Sequence, residues 1–251
     1  NPYFTVKDGV LFDKSGKKLI RYPVGKPAES YTIPDGTEII EECAFMQTAT
    51  GMQQKPGKLQ TVTFPRSLKQ IKNGAFRQTS LTSVQLPANV TFGSYIFDCS
   101  KTLATVTTEP GVTKIPDKAF WGCEKLTSVT LGDSVTAIGV SAFERTGLTG
   151  IDLNKVTDIG NYAFYGSKLT TVTVPAAAKT GTGAFMNCAD LTTATVNGTK
   201  LDRYMFWYCT GLTTLTAPNV TEIDECALGY CVKLTSLPLV KVTSISHGAF
   251  R

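Results

Sequence analysis

Apolar residues recur along the chain with a period close to 22 residues. The recurring pattern is Ile-x-x-x-Ala-Phe, as in IGVSAF at 138–143 and IGNYAF at 159–164. We call its last residue the marker of a coil, and successive markers are 31, 21, 23, 23, 21, 21, 21, 22 and 22 residues apart. The markers are Phe45, Phe76, Phe97, Phe120, Phe143, Phe164, Phe185, Phe206, Leu228 and Phe250. Self-similarity at a fixed period of roughly 20–29 residues predicts a solenoid.

A second motif, L-x-x-V-x-L, follows most markers by five or six residues. It reads LTSVQL at 81–86, LTSVTL at 126–131 and LTTVTV at 169–174. Apolar residues at positions four and six alternate with polar residues at three and five, which predicts a strand with one buried face. In five coils a Val and an Ile three residues apart precede the marker, as Val135 and Ile138 do, and Ala177 and Thr180 occupy these positions in the coil near 175–185.

No single coil can bury its own apolar residues, so neighbouring coils must stack in register and share one core. Each buried Phe then stabilises the fold by about 1.5–3 kcal/mol relative to exposure. The period leaves too few residues for a long helix. The sequence therefore predicts an α/β solenoid that is mostly β, a right-handed superhelix. Short parallel strands should form one face, with short helical or 3-10 turns opposite.

The N-terminal segment does not fit the repeat. Residues 1–32 alternate in polarity and contain the turn signals KDG and KSG, which predicts a β-hairpin cap over the first coil. Residues 33–251 are predicted to form the solenoid of about ten coils, as a single structural domain. The long first step predicts an exposed loop at 46–58, rich in Gly, Pro, Gln and Lys.

The motifs L-x-x-V-x-L-P and V-x-x-I-x-x-x-A-F-x-x-C, seen in LTSVQLP, VTAIGVSAF and VTKIPDKAFWGC, resemble BspA-like leucine-rich repeats. The resemblance covers about residues 33–251, and the segment VKDGVLFDKSGKKLIRYPVGKPAESYTIP is similar to the cap that precedes such repeats. It implies a leucine-rich-repeat superhelix in a cell-surface or secreted protein used in adhesion or host interaction. It does not specify the ligand.

Composition and charge restrict the kinds of partner that the protein could bind. The chain of 251 residues is 42% hydrophobic and has no run of 18 apolar residues, so we expect no membrane insertion by this segment. Its first residues do not form a signal peptide, which was either never present or has been removed. The net charge of +5 lies in residues 1–77, which hold 12 Lys/Arg against 7 Asp/Glu. These cations are too sparse for the basic stripe of a nucleic-acid binder.

Few residues are candidates for catalysis, metal ligation or a disulfide. Cys123, Cys188, Cys209 and Cys231 each follow a marker by three residues, which places adjacent ones roughly 5 Å apart. A disulfide or metal ligation stays open, but small buried thiols are favoured and no C-x-x-C is present. His247 is the single histidine, and GMQQKPGKL at 51–59 departs from a phosphate loop. We therefore expect no enzyme activity, no cofactor and no metal.

Two surfaces could bind a partner. Strand positions three and five hold Thr or Ser at 14 of 18 sites, a T-x-T array whose remote interpretation is ice binding. The favoured ligand-binding surface is the aromatic flank just after the markers: Trp121, Tyr165, Met186, Trp207, Tyr208 and Tyr230.

The leading hypothesis is a non-enzymatic, adhesin-like module that binds a host extracellular protein or glycan through a repeat-built surface. The alternative is a structural spacer or self-associating stalk without a ligand of its own.

Overall fold

Each period of the sequence forms one turn of a solenoid. The computed structural model describes residues 1–47, 57–237 and 240–251, and in these residues it contains strands and turns but no helix. The mostly β solenoid of about ten turns that the repeat predicts is confirmed.

The strands are short, and most have two to four residues. The first ten are β1 (Phe4–Lys7), β2 (Val10–Asp13), β3 (Lys18–Arg21), β4 (Ser30–Thr32), β5 (Ile39–Ile40), β6 (Thr61–Thr63), β7 (Gln70–Ile71), β8 (Ser83–Leu86), β9 (Thr91–Phe92) and β10 (Thr105–Thr108). The others are β11 (Lys114–Ile115), β12 (Ser128–Thr130), β13 (Ala137–Ile138), β14 (Asp158–Ile159), β15 (Thr171–Val174), β16 (Lys179–Thr180), β17 (Thr193–Val196), β18 (Lys200–Leu201), β19 (Thr214–Thr216), β20 (Glu222–Ile223) and β21 (Ser244–Ile245).

The L-x-x-V-x-L motifs form a first ladder of parallel strands. Its segments are β4-β6, β8-β10-β12 and β15-β17-β19. Like residues pair with like: Val106 lies opposite Val84 on one side and Val129 on the other. The equivalent segment at 150–152 does not form a strand. The predicted alternation of buried and exposed positions is confirmed, for example in β15 and β8.

The predicted helical or 3-10 turns opposite these strands are wrong. The Val-x-x-Ile segments there form a second parallel ladder of two-residue strands instead. Its three parts are β5-β7-β9, β11-β13-β14-β16 and β18-β20-β21. The ladder is interrupted twice, between β9 and β11 and between β16 and β18.

The bend around each marker explains why no helix forms. The residue two before the marker has positive φ in all ten coils, from Cys43 to Gly248, and the residue two after it has positive φ in eight. In the Phe120 coil, the N–H groups of Ala119 and Cys123 donate to carbonyls three residues earlier. In each of these four-residue turns the third residue has a left-handed backbone. This conformation suits a tight turn and prevents a right-handed helix from continuing.

The markers build the core. Phe97 and Phe120 stack with ring centroids 5.5 Å apart and planes at 7°, and similar contacts join the markers from Phe76 to Phe206. These rings are fully buried. The like-on-like stacking inferred from the sequence is therefore present along the solenoid axis.

Antiparallel strands cover the N-terminal end of the solenoid. Strands β1, β2 and β3 form a meander, and β3 pairs in parallel with β5. Strand β4, within residues 1–32, already pairs with β6 of the repeat. The boundary at residue 32 and the right-handed superhelix stay predictions. Most of the 46–58 loop and of the 51–59 stretch lies outside the described residues.

Candidate functional site

The predicted aromatic flank occupies two rows of the bend. The side chains directly after the marker are half-buried, whereas Tyr208 and Tyr230, two after it, are exposed. The half-buried members are Trp121, Tyr165, Met186 and Trp207. The structure brings Trp207, Tyr208 and Tyr230 together; Trp121 and Tyr165 lie in coils nearer the N-terminus and make no ring contact with them among the described residues.

Four rings form one contiguous group, which we call the aromatic cluster: Tyr204, Trp207, Tyr208 and Tyr230. Tyr208 and Tyr230 stack with centroids 4.2 Å apart. The Trp207 ring meets the rings of Tyr204, Tyr208 and Tyr230 edge to face, at 6.0, 4.3 and 5.7 Å. Edge-to-face and offset-stacked contacts of this kind are favourable aromatic geometries.

Sequence reasoning missed the tyrosines two residues before a marker. These are Tyr95, Tyr162 and Tyr204. Tyr162 contacts Tyr165 with centroids 6.3 Å apart, as Tyr204 contacts Trp207. The signal was available, because the three share one spacing to the marker.

These tyrosines have the left-handed backbone that the bend imposes at the same positions in other coils. Tyr95, Tyr162 and Tyr204, like Tyr208 and Tyr230, have φ between 55° and 59°. A left-handed backbone costs a side chain with a Cβ roughly 1–2 kcal/mol, and glycine avoids that cost. Gly183 and Gly166 occupy equivalent positions in neighbouring coils. Five exposed or half-buried tyrosines therefore stand at positions where glycine fits better, and the bend imposes this backbone in the other coils as well.

The cluster carries little net charge. The Arg203 guanidinium lies 5.1 Å from the Tyr204 ring centroid and forms an ion pair with Glu225 at 3.0 Å. The Tyr204 hydroxyl donates to Glu225 Oε1 at 3.4 Å. The arrangement offers aromatic surface with a paired cation and anion at its edge.

The four cysteines three after a marker form a buried ladder. The Sγ–H groups of Cys188 and Cys209 donate to the carbonyls of Phe164 and Phe185, both at 3.1 Å. In the described chain, Ser100 makes the same contact with Phe76. All seven cysteines are free thiols. Burial raises the pKa of the Cys123 and Cys209 thiols, which makes them unreactive at neutral pH.

The remaining candidates show no catalytic arrangement. His247 is exposed, and no hydrogen bond or ion pair to its imidazole occurs within 1–47, 57–237 and 240–251. Those ranges hold no group of three residues able to ligate a metal. They also contain no helix that could cross a membrane.

The strand-face threonines divide into two kinds. At position two of the motif, the Thr170 and Thr192 hydroxyls donate to the carbonyls of Thr149 and Thr170. At positions three and five the described hydroxyls make no such bond, for example those of β15 and β17. The array is interrupted at 150–152, where no strand forms, and Pro238 lies outside the described residues. Ice binding stays a hypothesis.

The fold and its repeat define a leucine-rich-repeat protein. The sequence matches the BspA type leucine rich repeat region in six copies, over residues 25–149 and 136–251. The chain belongs to this family, as its motifs predict. No curated protein sequence matches it.

Solved structures with the same architecture come from bacteria. A leucine-rich repeat protein from Bacteroides ovatus aligns with a TM-score of 0.63 at 18% identity, covering 100% of this chain and 81% of that one. A leucine rich cell surface protein from Faecalibacterium prausnitzii gives 0.54 at 20% identity, covering 100% and 86%. A leucine-rich repeat protein from Eubacterium ventriosum gives 0.52 at 18% identity, covering 89% of this chain and 76% of that one. At these identities the likeness shows the fold alone.

Proposed function

We propose that the protein is a non-enzymatic interaction module, at the cell surface or secreted, that binds a host protein or glycan through its aromatic flank. The observation that carries this proposal is the aromatic cluster. Trp and Tyr are the residues most enriched at binding hot spots, and here four of them form one partly exposed patch.

Two further observations support the proposal. The family builds rigid solenoids whose repeats present broad surfaces, and a neighbour of the same fold is described as a cell surface protein.

The test is a binding array of extracellular-matrix proteins, serum proteins and glycans. Wild type is compared with Tyr208→Asn/Tyr230→Asn, which keeps residues able to adopt the left-handed backbone. Thr173→Ala/Thr195→Ala on the strand face is the matched control. Circular dichroism must show all three folded.

Saturable binding that is lost only in the tyrosine variant supports the flank as the site. Binding retained in that variant keeps the interaction role but moves the site elsewhere. No binding by wild type argues for the spacer or self-associating stalk, which sedimentation would then test.

A further inference from the structure

The second ladder opens between β16 and β18. Backbone pairing holds on both sides of the gap: Asn197 N–H donates to Val174 O, and Gly183 N–H to Arg203 O. Between these points the two coils are not paired. In an intact part of the ladder, Thr136 and Gly139 N–H groups donate to the preceding coil; the equivalent Thr199 and Asp202 N–H groups make no such bond in the described chain.

Short side chains account for the opening. Ala177 and Thr180 stand where other coils have Val and Ile, such as Val156 and Ile159. They leave unfilled volume, and the structure has a cavity of about 380 Å³ there. That is within the usual size range of small-molecule sites, roughly 300–1,000 Å³.

Asp202 brings a carboxylate to this cavity. It occupies the position, four before the marker, that holds Gly139, Gly160 and Gly181 in other coils. The Thr180 hydroxyl donates to Asp202 Oδ2, and Oδ1 has no hydrogen-bond partner in the described residues. Burial raises the pKa of the Asp202 carboxyl, which shows that the group is partly withdrawn from water.

The lining combines apolar and polar groups. Ala176, Ala177 and Ala178 contribute accessible apolar surface, whereas the lining residues Val174, Val196 and Met205 are buried. The Thr199 hydroxyl and the ammonium groups of Lys179 and Lys200 add donors, and Lys200 is itself paired with Asp224 at 3.2 Å. Acceptor, donors and apolar surface together suit an uncharged molecule that has hydroxyl groups and a C–H face.

We propose that this cavity binds a single sugar unit, with Asp202 accepting hydrogen bonds from its hydroxyls and the alanine side chains packing against its ring. The cavity lies in the segments before the marker, away from the aromatic flank. The inference therefore does not rest on the proposed function.

The test is an NMR titration of the ¹⁵N-labelled chain with the methyl glycosides of glucose, galactose, mannose and N-acetylglucosamine. We expect at least one to shift the amide signals of 176–180 and 198–202 in a saturable way. Asp202→Gly, which introduces the residue found at this position in four other coils, should weaken that binding about tenfold or more, the effect of losing a hydrogen bond to a charged group.

Two variants sharpen the result. Ala177→Val/Thr180→Ile restores the usual residues, fills the cavity and should abolish the shifts while the fold is kept. Asp158→Asn, on an exposed strand position outside the cavity, should bind like wild type. No saturable shift with any of the four glycosides, shifts confined to other segments, or binding that survives Asp202→Gly would each overturn the proposal.

Discussion

Tyr208 and Tyr230 stack ring on ring across adjacent coils, with centroids 4.2 Å apart and planes at 23°, while both backbones are left-handed. The ring contact offsets part of the conformational cost, because aromatic pairs contribute about 0.5–1.5 kcal/mol beyond their buried area. The favourable stacking of the two rings and the unfavourable left-handed backbone therefore have opposite effects on stability at this pair.

Tyr208→Asn tests this opposition. Asn187 occupies the equivalent position of the preceding coil, and Asn tolerates positive φ better than Tyr. We expect the free energy of unfolding in urea to change by less than about 1 kcal/mol, because relieved strain and lost stacking nearly cancel. Tyr208→Val, with a β-branched residue in a left-handed backbone, is the contrasting variant. A loss in Tyr208→Asn as large as in Tyr208→Val would contradict the strain argument.

Replacing a marker side chain by a smaller one should lower the free energy of unfolding by an amount that depends on the replacement. Phe143 is fully buried between the rings of Phe120 and Phe164. Phe143→Ala should cost about 3–5 kcal/mol, since it removes transfer free energy and leaves a cavity. Phe143→Leu should cost less, because Leu228 fills the same position in another coil. Urea denaturation measures both, and equal losses would contradict this account, because they would show that filling the volume with Leu recovers none of the stability lost in Phe143→Ala.

The sequence predicted the features that follow from which residue types recur and stack from coil to coil. The spacing of markers such as Phe76 and Phe97 predicted the period, and the motifs that contain Val84 and Val106 predicted the first ladder. The second ladder was missed because two-residue strands such as β13 leave no alternating pattern to detect. The left-handed positions were missed because Cys43, Lys118 and Tyr204 share a backbone conformation but no side-chain type.

For the candidate site too, some residues could be predicted from the sequence and others could not. Trp207, Tyr208 and Tyr230 were predicted because each follows its marker by one or two residues. Tyr204 was missed, although its ring completes the cluster, because contact between rows depends on the bend geometry. The cavity at Asp202 could be suspected only from Ala177 and Thr180; the interrupted pairing that opens it is a tertiary property.

A partly buried ion pair gives a third prediction. The Asp98 side chain is 2% exposed and accepts from Arg77 Nε at 2.8 Å, while Arg77 is 45% exposed. Arg77→Met keeps the aliphatic stem but leaves the carboxylate buried without its partner. We expect a loss of about 3 kcal/mol, the lower end for breaking a buried pair.

The double variant Arg77→Met/Asp98→Asn should recover part of that loss, because a neutral amide is cheaper to bury than a carboxylate. Equilibrium unfolding of the two variants and wild type measures the coupling. A single-variant loss below about 0.5 kcal/mol, typical of an exposed pair, would contradict this account.

Alkaline pH should destabilise the fold through the buried thiol ladder. Burial raises the pKa of Cys231 to about 12 and that of Cys123 further, whereas a thiol in the unfolded chain titrates near pH 8.5. Above that pH the unfolded chain releases protons that the folded chain retains, so the free energy of unfolding falls as pH rises. Below about pH 8 the thiols are protonated in both states and contribute no slope.

The measurement is urea unfolding between about pH 7 and pH 10, before most tyrosines ionise. Cys123→Ser/Cys231→Ser is the matched variant, because Ser100 and Ser167 occupy the same ladder and keep a hydrogen-bond donor there. Its free energy of unfolding should fall less steeply above pH 8.5 than that of wild type, by up to about 1.4 kcal/mol per pH unit for each thiol removed. Parallel curves for the two proteins would mean that these thiols are accessible enough to ionise in the folded state.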